Sequence, residues 1–200
     1  MAKRVSYLSW RWRFVCVSLA LFAVIDACAT ATATQRIGNS EYRFSAVAPA
    51  GSVTCMEGDA GHLHGFSFLL APNKEGCRSR MPQPYVGLFG DYNVAYAKTP
   101  AEWVGNLCPL KHSGLAPGET SGLAFASSDS VACETPDKDG WINVFVVTMA
   151  DRWPDEKENP TLPRVPYFLY TAELHTNRIR RKRDLATLRE ILSTVKIEPQ

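Results

Sequence analysis

A chain of 200 residues, 46% hydrophobic and 21% charged, has the composition of a folded globular protein and excludes a low-complexity or intrinsically disordered one. Its formal net charge of +2, from 22 Lys+Arg against 20 Asp+Glu, lacks the strongly basic footprint expected of a nucleic-acid-binding domain. Six cysteines make the redox compartment the first question.

The N-terminus answers it. Lys3, Arg4, Arg11 and Arg13 precede an apolar run from Phe14 to Ile25, and Ala27, Ala29, Ala31 and Ala33 follow at once. The run is too short for a membrane-spanning helix, which needs about 20 residues. A basic start, an apolar middle and small residues at the end define a cleaved signal peptide. Two cleavage readings stand side by side. Ala31-Thr32-Ala33 suits an ordinary signal peptidase, giving a leader of 1–33 and a soluble protein that starts at Thr34. Ile25-Asp26-Ala27-Cys28 resembles a bacterial lipobox, giving a leader of 1–27 and a lipid on Cys28. Asp26 argues against the second reading and the Thr/Ala tether after Cys28 argues for it. Either cut removes four basic residues and Asp26, leaving 18 Lys+Arg against 19 Asp+Glu, so the mature protein is close to neutral.

About 170 mature residues make one domain with a real core and are too few for two. We place it at 41–200, after a polar lead-in at 34–40. Cys16 leaves with the leader and Cys28 is lost or lipidated, so Cys55, Cys77, Cys108 and Cys133 remain. An even number in an exported chain implies two disulfides. Of the three pairings, Cys55 with Cys77 and Cys108 with Cys133 is preferred because each pair brackets a short stretch; each bridge would contribute about 3 kcal/mol. Asn159-Pro160-Thr161 carries the proline that forbids glycosylation, which favours a bacterial envelope protein.

In chain order, Tyr42 to Ala48 alternates toward a Pro-Ala-Gly turn and reads as the first strand. His64 to Leu70 and Tyr85 to Phe89 are β-rich runs bounded by Gly, Pro and Asn. Thr99-Pro100-Ala101-Glu102 supplies an N-cap hydroxyl, a proline at the first helical position and a capping-box glutamate, so a short helix runs from there to about Cys108, with Trp103 and Leu107 on its inner face. Short strands follow at Leu123–Ala126 and Ser130–Cys133, then a turn at Pro136–Gly140. Trp141 to Met149 is apolar at nearly every position, as in a strand covered on both faces. Residues 151–164 read as a surface loop and Val165–Leu174 as the next strand. Leu185, Leu188, Ile191, Leu192 and Val195 then recur at three and four, predicting a last helix over Asp184–Thr194. The fold class is α+β: an antiparallel sheet flanked by a short central helix and a C-terminal helix, stapled by two disulfides.

The opening segment Tyr42-Arg43-Phe44-Ser45-Ala46-Val47-Ala48-Pro49-Ala50-Gly51 and the closing one from Asp184 to Ile197 resemble the PsbP-like α/β sandwich. In that family a first strand ending at a Pro-Gly turn and a final helix leading to a short strand enclose an antiparallel sheet. The resemblance covers about 25 residues and implies fold alone. The four cysteines and the histidine-rich turn are no part of it.

For chemistry, the best candidate is the segment from Cys55 to Gly65, where His62 and His64 at i and i+2 share a face if the chain is extended. With Asp59 or Cys55 they could hold a transition metal. The competing reading is hydrogen-bonded structure at a strand entrance, with Cys55 committed to its bridge. No nucleophile elbow, phosphate loop, dinucleotide fingerprint or His-Glu-x-x-His motif is present, so no catalytic residue is assigned and no cofactor beyond that metal is implied. Asp137-Lys138-Asp139-Gly140 lacks the further acidic residues of a calcium loop and reads as a turn. Arg178 to Arg183 packs five basic side chains into six residues, either a patch for anionic lipid or an acidic partner or a solvated helix approach. The loop that carries Asp91, Tyr92 and Asn93, with Trp103 downstream, offers aromatic and amide groups for binding, against an ordinary turn with Asn93 left-handed. The expectation is a non-catalytic envelope protein that binds a protein partner, of adaptor or toxin-immunity type. It involves no nucleic acid, and a membrane only through a lipid anchor at Cys28. The alternative is a metal-dependent hydrolase centred on His62 and His64.

Overall fold

A single alternating pattern explains most of the architecture: strand residues that face one way are largely apolar, and those that face the other way are mixed. The computed structural model describes residues 35–59, 62–78, 83–108, 122–125, 128–150 and 165–198, and for Asp59 and His62 the backbone only. The leader, Cys28 and the loop at 151–164 lie outside these residues. Those described belong to one compact unit, Thr34–Gln200.

The strands are β1 (Arg36–Asn39), β2 (Phe44–Val47), β3 (Val53–Asp59), β4 (His62–Leu69), β5 (Tyr85–Tyr92), β6 (Ser130–Pro136), β7 (Trp141–Ala150), β8 (Phe168–Asn177) and β9 (Lys196–Ile197), and the helices are α1 (Pro100–Leu107) and α2 (Arg181–Thr194). They form a three-stranded sheet, β1-β2-β9, and a six-stranded sheet, β3-β4-β5-β8-β7-β6, antiparallel throughout. The expected α+β class and both preferred disulfides are present: Cys55–Cys77 and Cys108–Cys133.

One face of the larger sheet presents Phe66 and Phe68 from β4, Val86 and Leu88 from β5, Tyr170, Ala172 and Leu174 from β8, and Val144 and Val146 from β7. Over it lie Phe44 and Ala46 of β2 and the Leu185, Leu188, Ile191 and Leu192 stripe of α2, in one apolar cluster. Burying each such side chain stabilises the fold by about 1.5–3 kcal/mol. Gly90 lets the two layers close: a Cβ there would stand 2.4 Å from the Cβ of Tyr42 and 2.7 Å from its Cγ. The opposite face carries α1, whose Val104 and Cys108 pack on Cys133, Val147 and Leu169 with Trp103 and Leu107 alongside.

Several expectations need correction. The polar lead-in at 34–40 contains β1, which the sequence hides because only Asn39 of its four residues is buried. The candidate metal segment that begins at Cys55 forms a further edge strand, β3, and the start of β4. Leu123 and Phe125 form no strand; each is buried as a single plug in the core, and Ala126 lies outside the described residues. The strand expected at Val165–Leu174 begins at Phe168, because Pro166 and Tyr167 give their carbonyls to Asn93 instead of to a ladder. Helix α2 starts at Arg181 rather than Asp184. Asp184 is not a cap but a buried first-turn carboxylate that accepts Thr176 Oγ1 at 2.6 Å and Arg180 Nε at 3.1 Å.

Candidate functional site

Strand β5 runs out into a loop that its own amide side chain holds rigid. Asn93 is buried; its Nδ2 donates to the carbonyls of Ala97 and Pro166, both at 2.8 Å, and its Oδ1 accepts from Ala97 N–H at 3.0 Å. Its own N–H donates to Tyr167 O at 2.9 Å. A fully bonded buried amide fixes both strands of the loop at once. On the far side α1 is started as its sequence requires, with Glu102 N–H on Thr99 Oγ1 at 3.2 Å and Lys98 N–H on the Glu102 carboxylate at 2.8 Å.

This clamp leaves the intervening side chains outside. Val94 is 73% exposed, Tyr96 50% and Tyr92 38%. The residue that takes the left-handed conformation is Tyr96, at φ 55°, and not Asn93. Behind the loop an aromatic series runs inward: Tyr92 lies 5.1 Å from Tyr167, 5.8 Å from Phe168 and 5.3 Å from Tyr42, between ring centroids.

His64 joins the same surface. Its ring stacks on Tyr42, and its Nδ1 lies 2.9 Å from Asp91 Oδ1, both side chains part-exposed. Leu63 beside it is exposed, with its carbonyl accepting from Asn39 Nδ2. The structure therefore brings Asp91, Tyr92 and His64 together, as neighbours on β4 and β5. Trp103 sits elsewhere, as the anchor of α1 on the second face. For the metal reading, Cys55 is committed to its disulfide, and among the described residues no group of three or more His, Cys, Asp and Glu could hold an ion. The side chain of His62 lies outside the described residues.

Sequence reading missed a further histidine. His175 is buried on the second face, its ring between Trp141 (4.4 Å between centroids) and Tyr85 (5.4 Å), with both interplanar angles small. Its Nδ1 lies 2.7 Å from Asn143 Oδ1, while Nε2 has no hydrogen-bond partner among the described residues. Burial pushes its pKa below the usual 6.5, and the Asp137 carboxylate, 4.0 Å from Nδ1, pulls the other way. Nearby, Tyr85 donates to Glu173 at 2.9 Å and Ser67 to Glu57 at 2.6 Å. No signal along the chain foretells this group, because its members come from five strands. A cleft of about 510 Å³ is lined by Asn39, Ser40, Arg43, Ser45 and Glu198 beside Phe44.

No family model and no curated protein matches this chain. Among solved structures it is similar to the solution structure of cyanobacterial PsbP (CyanoP) from Synechocystis sp. PCC 6803. The identity is 10% and the TM-score 0.39, with 85% of this chain and 96% of that chain covered. The PsbP-like resemblance of the opening and closing segments and this weak likeness point to the same family name.

Proposed function

We propose that this is an exported, disulfide-bonded protein of the bacterial envelope that binds another protein without catalysing a reaction, as an adaptor or a toxin-immunity factor does. The carrying observation is the loop in which a buried Asn93 holds Val94 and Tyr96 out into solvent beside the part-exposed Tyr92. Tyrosines give large contact area at low entropic cost, and a loop already rigid loses little more freedom on binding. Export is supported by the leader pattern and by two disulfides, which persist in oxidising compartments.

The test is a quantitative pull-down from the native host with wild type and a Tyr92→Ala/Tyr96→Ala double variant as baits. The partner should bind at least tenfold more weakly to the variant, which should stay folded with a modest stability loss from the Tyr92 ring contacts, and a Val94→Ser variant, at a side chain 73% exposed, should weaken binding with stability unchanged. A partner retained equally by both baits would sink the loop reading, and no partner at all would sink protein binding. Mass spectrometry of the mature N-terminus distinguishes a start at Thr34 from a diacylated Cys28.

The Asp91–His64 bond favours a second reading, a metal-dependent hydrolase centred on His62 and His64, because a carboxylate on one ring nitrogen is the arrangement that orients a metal-ligating imidazole. Stoichiometric zinc or copper in untagged protein, lost in His62→Ala/His64→Ala, would support it; metal-free protein would end it.

A further inference from the structure

The turn between β8 and α2 holds the five basic residues from Arg178 to Arg183, and the fold uses two of them. Arg180 binds buried Asp184 through Nε at 3.1 Å and Nη2 at 3.2 Å, and Arg181 binds Glu134 at 2.7 Å. The backbone N–H of Arg180 is also received by Asn177, so the turn is held rigid. Arg178, Lys182 and Arg183 remain exposed, with Arg183 at 3.5 Å from the Asp184 carboxylate that Arg180 already binds. At the apex Ile179 is 96% exposed.

A lone surface aliphatic is ordinary. One that shares its turn with three exposed cations, of which only Arg183 meets a carboxylate and that one already bonded to Arg180, is not explained by folding, since Lys182 and Arg183 stand in the first helical turn, where cations are least favoured. We infer that this turn docks on an anionic phospholipid surface, with Ile179 entering the interface and Arg178, Lys182 and Arg183 meeting headgroup phosphates. An acidic protein would meet the same charges, but a single convex aliphatic side chain gives a protein interface no apolar core to close over. A bilayer needs no matching pocket: it accepts an apolar tip with cations around it.

The experiment measures binding of the disulfide-bonded mature chain from Thr34 onward, which carries no acyl chain, to sedimenting vesicles. One set is phosphatidylcholine alone, and the other contains one third phosphatidylglycerol. Binding should require phosphatidylglycerol and should disappear in 0.5 M salt. It should weaken about fivefold for each cation changed to serine, and roughly a hundredfold in Arg178→Ser/Lys182→Ser/Arg183→Ser. Ile179→Asp, at a fully exposed site that folding does not use, should weaken it at least tenfold with no change in melting temperature. Equal binding to both vesicle types, or binding unaltered by these substitutions, overturns the proposal. Retention on a polyaspartate matrix that is lost with the cations but kept in Ile179→Asp would assign the patch to an acidic protein instead.

Discussion

The two faces of the six-stranded sheet are held by different physics. The face under β2 and α2 is a largely apolar layer whose buried carboxylates, Asp184 and Glu134, are bonded to Arg180 and Arg181 at its margin. The other face puts Ser67, Glu57, Tyr85, Glu173, Asn143 and His175 among its apolar residues, and joins α1 and the 3-10 turn at Gly76–Arg78 to the sheet with one disulfide each. Apolar packing is additive and needs no precise partner, whereas a buried polar set is stable only while each member stays bonded. The first face should therefore set overall stability, and the second should set sensitivity to conditions.

The sharpest test of that contrast is Phe66→Ala on the first face, a fully buried ring touching Phe44 and Phe68. It should cost about 3–5 kcal/mol in denaturant unfolding, and a much smaller loss would mean that the apolar layer does not dominate. On the second face, Cys108→Ser with Cys133→Ser opens a loop with a sequence separation of 25 and should cost about 3 kcal/mol. A loss confined to α1, seen as local hydrogen exchange without a change in global midpoint, would show that the bridge holds only the helix. At the rim, Asn93→Ala leaves the Ala97 N–H and two carbonyls without their partner. It should cost roughly 1–3 kcal/mol and, unlike Val94→Ser at the exposed tip of the same loop, should reduce stability and partner affinity together.

The smallest effect is pH-dependent. His175 binds a proton less readily folded than unfolded, so its contribution is fully present above about pH 6.5 and falls as pH drops toward the lower folded value. Melting temperatures of wild type and His175→Gln at pH 7.5 and 5.0 should show a steeper acid loss in wild type. Equal slopes would mean that Asp137 offsets the burial.

What the sequence made legible follows the same division. The α2 stripe, the alternation of β4 and β5 and the unbroken apolar run of β7 announce apolar burial, and the Thr99–Glu102 cap is a local signal for α1. The disulfide partners followed from short loops. β1 and β3 escaped because an edge strand with a solvated side needs little apolar patterning. His175 escaped because it is defined by Tyr85, Trp141 and Asn143, which antiparallel pairing alone brings beside it. Asn93 was singled out for the wrong role: a loop asparagine looks like a ligand until its four bonds are seen to lie inside the protein.

Both disulfides share a placement whose consequence reaches beyond stability. Cys55 lies in β3 and Cys133 in β6, the two outermost strands of the six-stranded sheet. An outermost strand has a row of backbone groups ready to pair with another chain, and it is the first part of a sheet to peel. Each bridge pins one such border to a segment packed beside it, so reduction would fray the sheet from both sides at once. The hazard in a reducing compartment is then self-association through unzipped borders, ahead of loss of the core.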